Sequence, residues 1–230
     1  MPTPSLVPAL PTSYQLSVPP LSQLPQLENG CEVTSLAMLL TAVGHPVSKM
    51  TLAAEEPTDP TPAVLKPIAG FSGNPILEVV RWGNPNVGFV GSVVGGSQLG
   101  YGIYHGPLLR LLSQILPGRA EDLTGDPFST LLRHVAEGVP VEAWTTITFQ
   151  PTDDWVTWQS PEGPVRATPL EHAVLIVGYT PTSILVNNPY TGQAGEAVNR
   201  TAFVEAWRQL GRQAITVTIP RPVAPTELLP

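Results

Sequence analysis

LENGCEVTSLAMLLTAVG (residues 27–44) holds the only cysteine of the chain and its clearest helical pattern. Val33, Leu36, Ala37, Leu40 and Val43 recur at helical spacing, and Gly44 with Pro46 closes the run. Asn29 and Gly30 form an entry turn, so Cys31 stands at the helix N-terminus. Two readings compete for it. A lone free cysteine is commonly a small buried hydrophobe. At a helix N-terminus, however, unpaired backbone N–H groups and the positive end of the dipole stabilise a thiolate, which predicts a depressed thiol pKa. Gly30 is expected to leave the approach to the sulfur open. Glu32 suits the first helical turn; its charge opposes ionisation of the thiol unless it points away or is paired, and it is read as structural.

Working outward, the helix sits in a chain with a globular composition. Of 230 residues, 42% are hydrophobic and 13% charged, enough for one domain with a substantial core. The net charge of −7 and the absence of any basic run argue against nucleic acid or an anionic membrane as the main partner. One cysteine rules out an internal disulfide, and with four scattered histidines it offers no metal-ligand spacing, so neither metal nor cofactor is expected. No apolar run is long enough to span a bilayer. The first thirty residues lack Lys and Arg and are broken by prolines, which does not fit a secretory signal. Localisation is therefore left between cytoplasmic and, if an export signal was removed, secreted or cell-envelope.

The prolines place extended tails at 1–20 and 220–230, with one body at 21–219. After the first helix come a short helix near 50–55, a proline-rich loop, and a glycine-rich stretch at 70–104 read as a long ordered loop with one short helix. Its aromatics Phe71, Trp82, Phe89, Tyr101 and Tyr104 suit a cleft lining. Helices follow near 106–116 and 127–137. Short β-branched segments then alternate with turns: VPVEAWTTI, DWVTWQ, PVRATP, HAVLIVGY and SILVNNP. A helix near 200–210 and a strand near 213–219 close the body. Helices first and hairpin-linked strands later indicate an α+β fold with an antiparallel sheet.

A nucleophilic thiol needs a base, and the base needs an orienting group. His45 lies past the far end of the cysteine helix, about 16 Å away at the usual rise for eleven residues. His134 falls mid-helix, and His105 is a weak rival. His172 opens HAVLIVGY, and a hairpin centred near Thr180 sets it opposite Asn188, with Asn187 one position away. An amide there can fix the imidazole's tautomer and orientation. One of the two asparagines is expected to serve the turn instead. The Cys31 N–H and a side-chain amide, Gln23 or Gln26, are the candidate oxyanion donors. Trp144, Trp155, Trp158 and Trp207 are read mostly as core.

SQLPQLENGCEVTSLAMLLTAVGHPVSK, followed in order by GNPNVGFVG, GYGIYHGPL, LTGDPFSTLLRHVAEGVPVEAWTT, TPLEHAVLIVGY and VNNPYTG, resembles bacterial peptidases of cysteine-peptidase family thirty-nine over about residues 18–217. The resemblance is to the stand-alone branch of these relatives of bacteriocin-processing proteases. It implies a papain-like fold, with an N-terminal helical part on a C-terminal sheet, and a cysteine peptidase or related amide hydrolase. Cys31 matches the nucleophile, His172 the base and Gln23 the oxyanion glutamine, with Gln26 as fallback. Asn188 stands where the family usually has an aspartate before proline; it can orient an imidazole but lends it no full charge. Gly30, Trp82, Tyr101 and Tyr104 are expected at the substrate. A monomer acting on a peptide or protein is expected. The alternatives are a catalytically silent module binding peptide or cell wall, and a thiol-dependent acyltransferase.

Overall fold

The computed structural model describes residues 9–69 and 75–218. In chain order its elements are β1 (Tyr14–Gln15), α1 (Cys31–Ala42), α2 (Lys49–Glu55), β2 (Thr58–Asp59), β3 (Val64–Ala69), β4 (Pro75–Arg81), β5 (Phe89–Val90), α3 (His105–Ile115), β6 (Ala120–Asp122), α4 (Phe128–Ala136), β7 (Val141–Thr146), β8 (Val156–Ser160), β9 (Gly163–Ala167), β10 (Glu171–Tyr179), β11 (Ser183–Asn188), β12 (Gln193–Asn199), α5 (Arg200–Gln209) and β13 (Ala214–Val217).

The main sheet runs β12-β11-β10-β7-β13-β6, antiparallel throughout, with β1 paired to β10. Strand β10 is buried on both faces, which is why HAVLIVGY reads as a nearly unbroken apolar run. Alternation sorts its side chains: Ala173, Leu175 and Val177 join the core under α1 and α3, while Val174 and Ile176 join the core under α4 and α5. Helix α1 is buried from Cys31 to Leu40, and Leu36 and Leu40 are fully sequestered. Each such leucine contributes about 1.5–3 kcal/mol of transfer free energy. The helix stops at Gly44, whose φ of +78° only glycine adopts readily. Among the described residues, no helix is long and apolar enough to cross a membrane.

A second sheet, β3-β4-β8-β9, stands beside the first. It is tied to the body through Trp82, Val90, Trp158, Val165 and Ala167, with the Trp82 and Trp158 rings 5.7 Å apart. The Trp158 Nε1–H also donates to Gly83 O at 2.7 Å.

Among the described residues the five helices match the expected positions, as do the strands from β7 to β11 and β13. Three expectations need correction. Stretch 70–104 is not one long loop with a short helix: it contains β4 and β5, and β4 pairs with β3 in a hairpin. Prolines hid β3, and Pro67 is tolerated because β3 is an edge strand. The tail boundary at residue 20 falls too late, since Tyr14 pairs with Tyr179 and Val18 is buried. Finally, the β10–β11 hairpin is not centred on Thr180: Leu175 faces Asn187, Tyr179 faces Ile184, and a bulge lies between Ile176 and Gly178. The C-terminal tail at 220–230 and Phe71 lie outside the described residues.

Candidate active site

The entry to α1 is fixed by packing rather than by a side-chain cap. Gly30 precedes the helix, and a Cβ there would meet the Leu27 Cβ at 2.6 Å. Gly30 therefore allows the turn to close on Leu27; it does not open a path to the sulfur, and it does not line the cavity described below. Cys31 follows, 6% exposed. Its Sγ donates to Glu32 Oε2 at 3.2 Å and accepts from the Ala173 N–H at 3.4 Å. Strand β11 has ended by this point of the ladder, so the sulfur takes the N–H that a neighbouring strand would otherwise satisfy. The Ser35 Oγ–H donates to Ala173 O at 3.3 Å, pinning the same turn of α1 to β10.

His172, 2% exposed, meets Asn188 Oδ1 through Nε2 at 3.0 Å. The shifted register takes Asn188 off the position directly across from His172, and it reaches the ring diagonally along one face. The amide's orientation is set by its other contacts. Its Nδ2 donates to Glu196 Oε2 at 2.9 Å, and Oδ1 also accepts the Tyr190 N–H at 3.0 Å. A carboxylate only accepts, so the carbonyl side of Asn188 faces the imidazole, Nε2 carries the proton, and Nδ1 is the free acceptor. Asn187 serves the framework: Nδ2 donates to Val18 O at 2.9 Å and Oδ1 accepts the Gly195 N–H at 3.0 Å. Phe149 and Tyr190 flank the His172 ring, at 6.4 and 6.5 Å between centroids.

Cys31, His172 and Gln23 line one cavity of about 550 Å³. Gln23 is buried, and its Nε2 donates to Glu28 O at 2.7 Å, leaving its second amide hydrogen available. Gln26 is exposed, accepts from Lys49 Nζ at 2.9 Å, and does not line the cavity. The opposite wall comes from the second sheet and its neighbours: Ile68, Ile76, Leu77, Val79, Leu99 and Val156, backed by Trp82, Tyr101 and Trp158. Tyr104 is not on this cavity. Its hydroxyl shares a hydrogen bond of 2.9 Å with that of Tyr101, and it faces a separate groove of about 300 Å³ lined also by His105, Trp155 and Arg166. There the Arg166 guanidinium sits 3.7 Å from the Trp155 ring centre.

Electrostatics at the sulfur overturn one expectation. The Cys31 thiol lies well above its ordinary value: burial is the largest cause, followed by the charges of Glu32 and Glu171. The helix dipole does not overcome them, and no lysine or arginine stands among the perturbing groups. Burial also lowers His172 to about 4, opposed by its bond to Asn188. Near neutral pH the resting pair is thus thiol and neutral imidazole. Each side chain has other partners, the sulfur Glu32 and Ala173, the ring Asn188, and no hydrogen bond joins the two.

The other histidines lie elsewhere. His105 contacts Gln213 Oε1 at 3.0 Å and Asp122 at 3.7 Å; His134 pairs with Glu121 at 3.6 Å; His45 is exposed. Trp144 and Trp207 are core, Trp158 is both buried and cavity-lining, and Trp155 is half-buried. Sequence reasoning missed Glu196 and Glu171, and it read Glu32 as structural. Glu196 arrives from β12, a strand too polar to announce itself. Glu171 borders the sulfur, and Glu32 points inward rather than away: Cys31 Sγ and oxygens of Glu32 and Glu171 lie within 4.8 Å of one another. The fold thus gathers three potential metal ligands that no sequence spacing announces.

Comparison with known proteins gives a consistent picture. Residues 15–215 match the sequence model of the Peptidase_C39 like family. The uncharacterized protein YvpB of Bacillus subtilis (strain 168) is 38% identical over 193 residues, spanning 84% of this chain and 70% of that protein. Among solved structures, that of a "putative C39-like peptidase" from Bacillus anthracis superposes with a TM-score of 0.79 at 39% identity, covering 90% of this chain and 98% of the other.

Proposed function

The chain belongs to the Peptidase C39-like family, and from that premise we propose that it is a cysteine peptidase working through a thioester acyl-enzyme. The Cys31 sulfur attacks a peptide carbonyl carbon while its proton passes to His172 Nδ1. The Cys31 N–H and Gln23 Nε2 hold the developing oxyanion. The imidazolium then protonates the leaving amine, the C–N bond breaks, and water, deprotonated by His172, hydrolyses the thioester. One observation carries this reading: Asn188, itself oriented by Glu196, holds Nε2 and leaves Nδ1 as the acceptor, with imidazole, thiol and Gln23 all on one cavity. The apolar wall supports a substrate with apolar side chains beside the scissile bond.

The test is a diverse peptide mixture, with new amino termini identified by mass spectrometry. New termini that vanish with Cys31→Ser are expected; the absence of any Cys31-dependent cleavage would overturn the reading. A second reading, a silent peptide-binding module, draws on the sulfur's engagement with Glu32 and Ala173 rather than the imidazole. It predicts that wild type and Cys31→Ser retain the same peptides uncut.

A further inference from the structure

The mechanism above leaves Glu32 idle, yet among the described residues it is the only hydrogen-bond acceptor of the Cys31 S–H. Glu32 is fully buried, and its carboxylate is held at both ends. Oε1 accepts the Ile103 N–H at 2.8 Å, and Oε2 faces the thiol at 3.2 Å. The backbone ahead of α3 is moulded around it: a Cβ on Gly102 would collide with Glu32 Oε1 and stand 3.0 Å from Glu171 Oε2. A bulkier residue at 102 would push the carboxylate off the sulfur. On the sulfur's other side, the Ala173 N–H completes the dock.

We propose that Glu32 is a positioning residue that keeps Cys31 as a docked resting thiol, and that the sulfur becomes available for attack when its S–H turns from Glu32 Oε2 to His172 Nδ1. Other acidic groups gather around the carboxylate: Glu56 from the end of α2, Tyr101 and Tyr104 from the segment before α3, Glu142 from β7 and Glu171 from β10, and none of the described groups that couple to it is a lysine or arginine. Negative charge on Glu32 or Glu171 favours the protonated sulfur. Glu171 lies beside the sulfur, and among the described residues its Oε1 has no hydrogen-bond partner.

The inference rests on Cys31 as the nucleophile, but its test reads the sulfur without substrate. The full chain has one cysteine, so alkylation by iodoacetamide, followed by mass spectrometry from pH 5 to 10, reports Cys31 alone. Glu32→Gln keeps an oxygen for the Ile103 N–H and replaces the acceptor on the thiol with an N–H donor. It is expected to move the alkylation profile to lower pH and to raise the rate at pH 7 about three- to tenfold. Glu171→Gln should shift the profile in the same direction by less. An unmoved profile in Glu32→Gln means the carboxylate only packs, and a slower reaction means it takes the thiol proton; either overturns the proposal. Should Glu32→Gln fail to fold, Glu171→Gln carries the test, and an unmoved profile there overturns it. A shifted profile in a protein that cleaves no peptide would sink the peptidase reading and leave this inference standing.

Discussion

At the floor of the cavity Cys31, His172 and Gln23 are each at most 6% exposed, whereas on the facing wall Ile76 and Leu77 are 54% and 61% exposed. The floor is made where α1 meets β10, at the centre of the main sheet. Its polar groups are held by named partners: Ala173 N–H and Glu32 on the sulfur, Asn188 on the imidazole, Glu196 on Asn188. The wall is a hairpin whose outer strand is a sheet edge, and its apolar side chains stand partly in water. A site that must place reacting atoms to fractions of an ångström draws them from the packed junction. A surface that must accept varied side chains is built from a thinner, less enclosed sheet. The floor should therefore govern kcat and the wall KM.

The largest effect tests the floor. Cys31→Ser should lower kcat at least about a thousandfold with little change in KM or melting temperature. Next comes His172→Ala, expected to cost about 10²–10⁴ in kcat, with Asn188→Ala nearer the 10–100-fold range of an orienting partner. Steady-state kinetics on the cleaved peptides separate these from the wall. Leu77→Asp should raise KM severalfold while leaving kcat near wild type, because it removes binding shared by ground and transition states. A loss of kcat in Leu77→Asp, or an effect confined to KM in His172→Ala, would break the comparison.

Much of the floor was legible in sequence because it follows from patterns that packing enforces. The 3.6-residue period of α1 set Cys31 at a helix start, and the unbroken apolar run of β10 put His172 at a buried strand end. Asn188 was found through a hairpin register that was itself off centre. It still reaches His172 because diagonal neighbours on one face of a sheet touch. The wall was not legible: Pro67 and the flanking glycines mask β3 and β4, a hairpin whose strand character comes from packing rather than from local propensity. Strand β12, a polar run with Gly195 at φ +60°, hid Glu196 for the same reason. The thiol's ionisation was misjudged because helix position is visible in sequence and burial beside two carboxyls is not.

The smallest predicted effect concerns the acids behind the floor. Among the described residues both carboxylate oxygens of Glu56 lack a partner, and burial, then the Glu32 charge, pushes the group up to about 9 from 4.5. A carboxyl raised on folding stabilises fully below its unfolded value of 4.5, and that contribution drains as pH rises toward about 9. His172 works oppositely, since its lowered value makes stability fall as pH drops from 6.5 toward about 4. Glu56→Gln should thus melt about 2–4 °C above wild type at alkaline pH, with the gap closing as pH approaches 4.5 in thermal scans.

The central claim is that one sulfur, served by one imidazole, attacks a carbonyl in this cavity. The most direct test is mass spectrometry after incubation with a peptide vinyl sulfone carrying apolar side chains. A single adduct on Cys31, largely lost in His172→Ala and in wild type pre-incubated with excess cleavable peptide, is the predicted result. No adduct, or equal labelling with and without the imidazole, would contradict it.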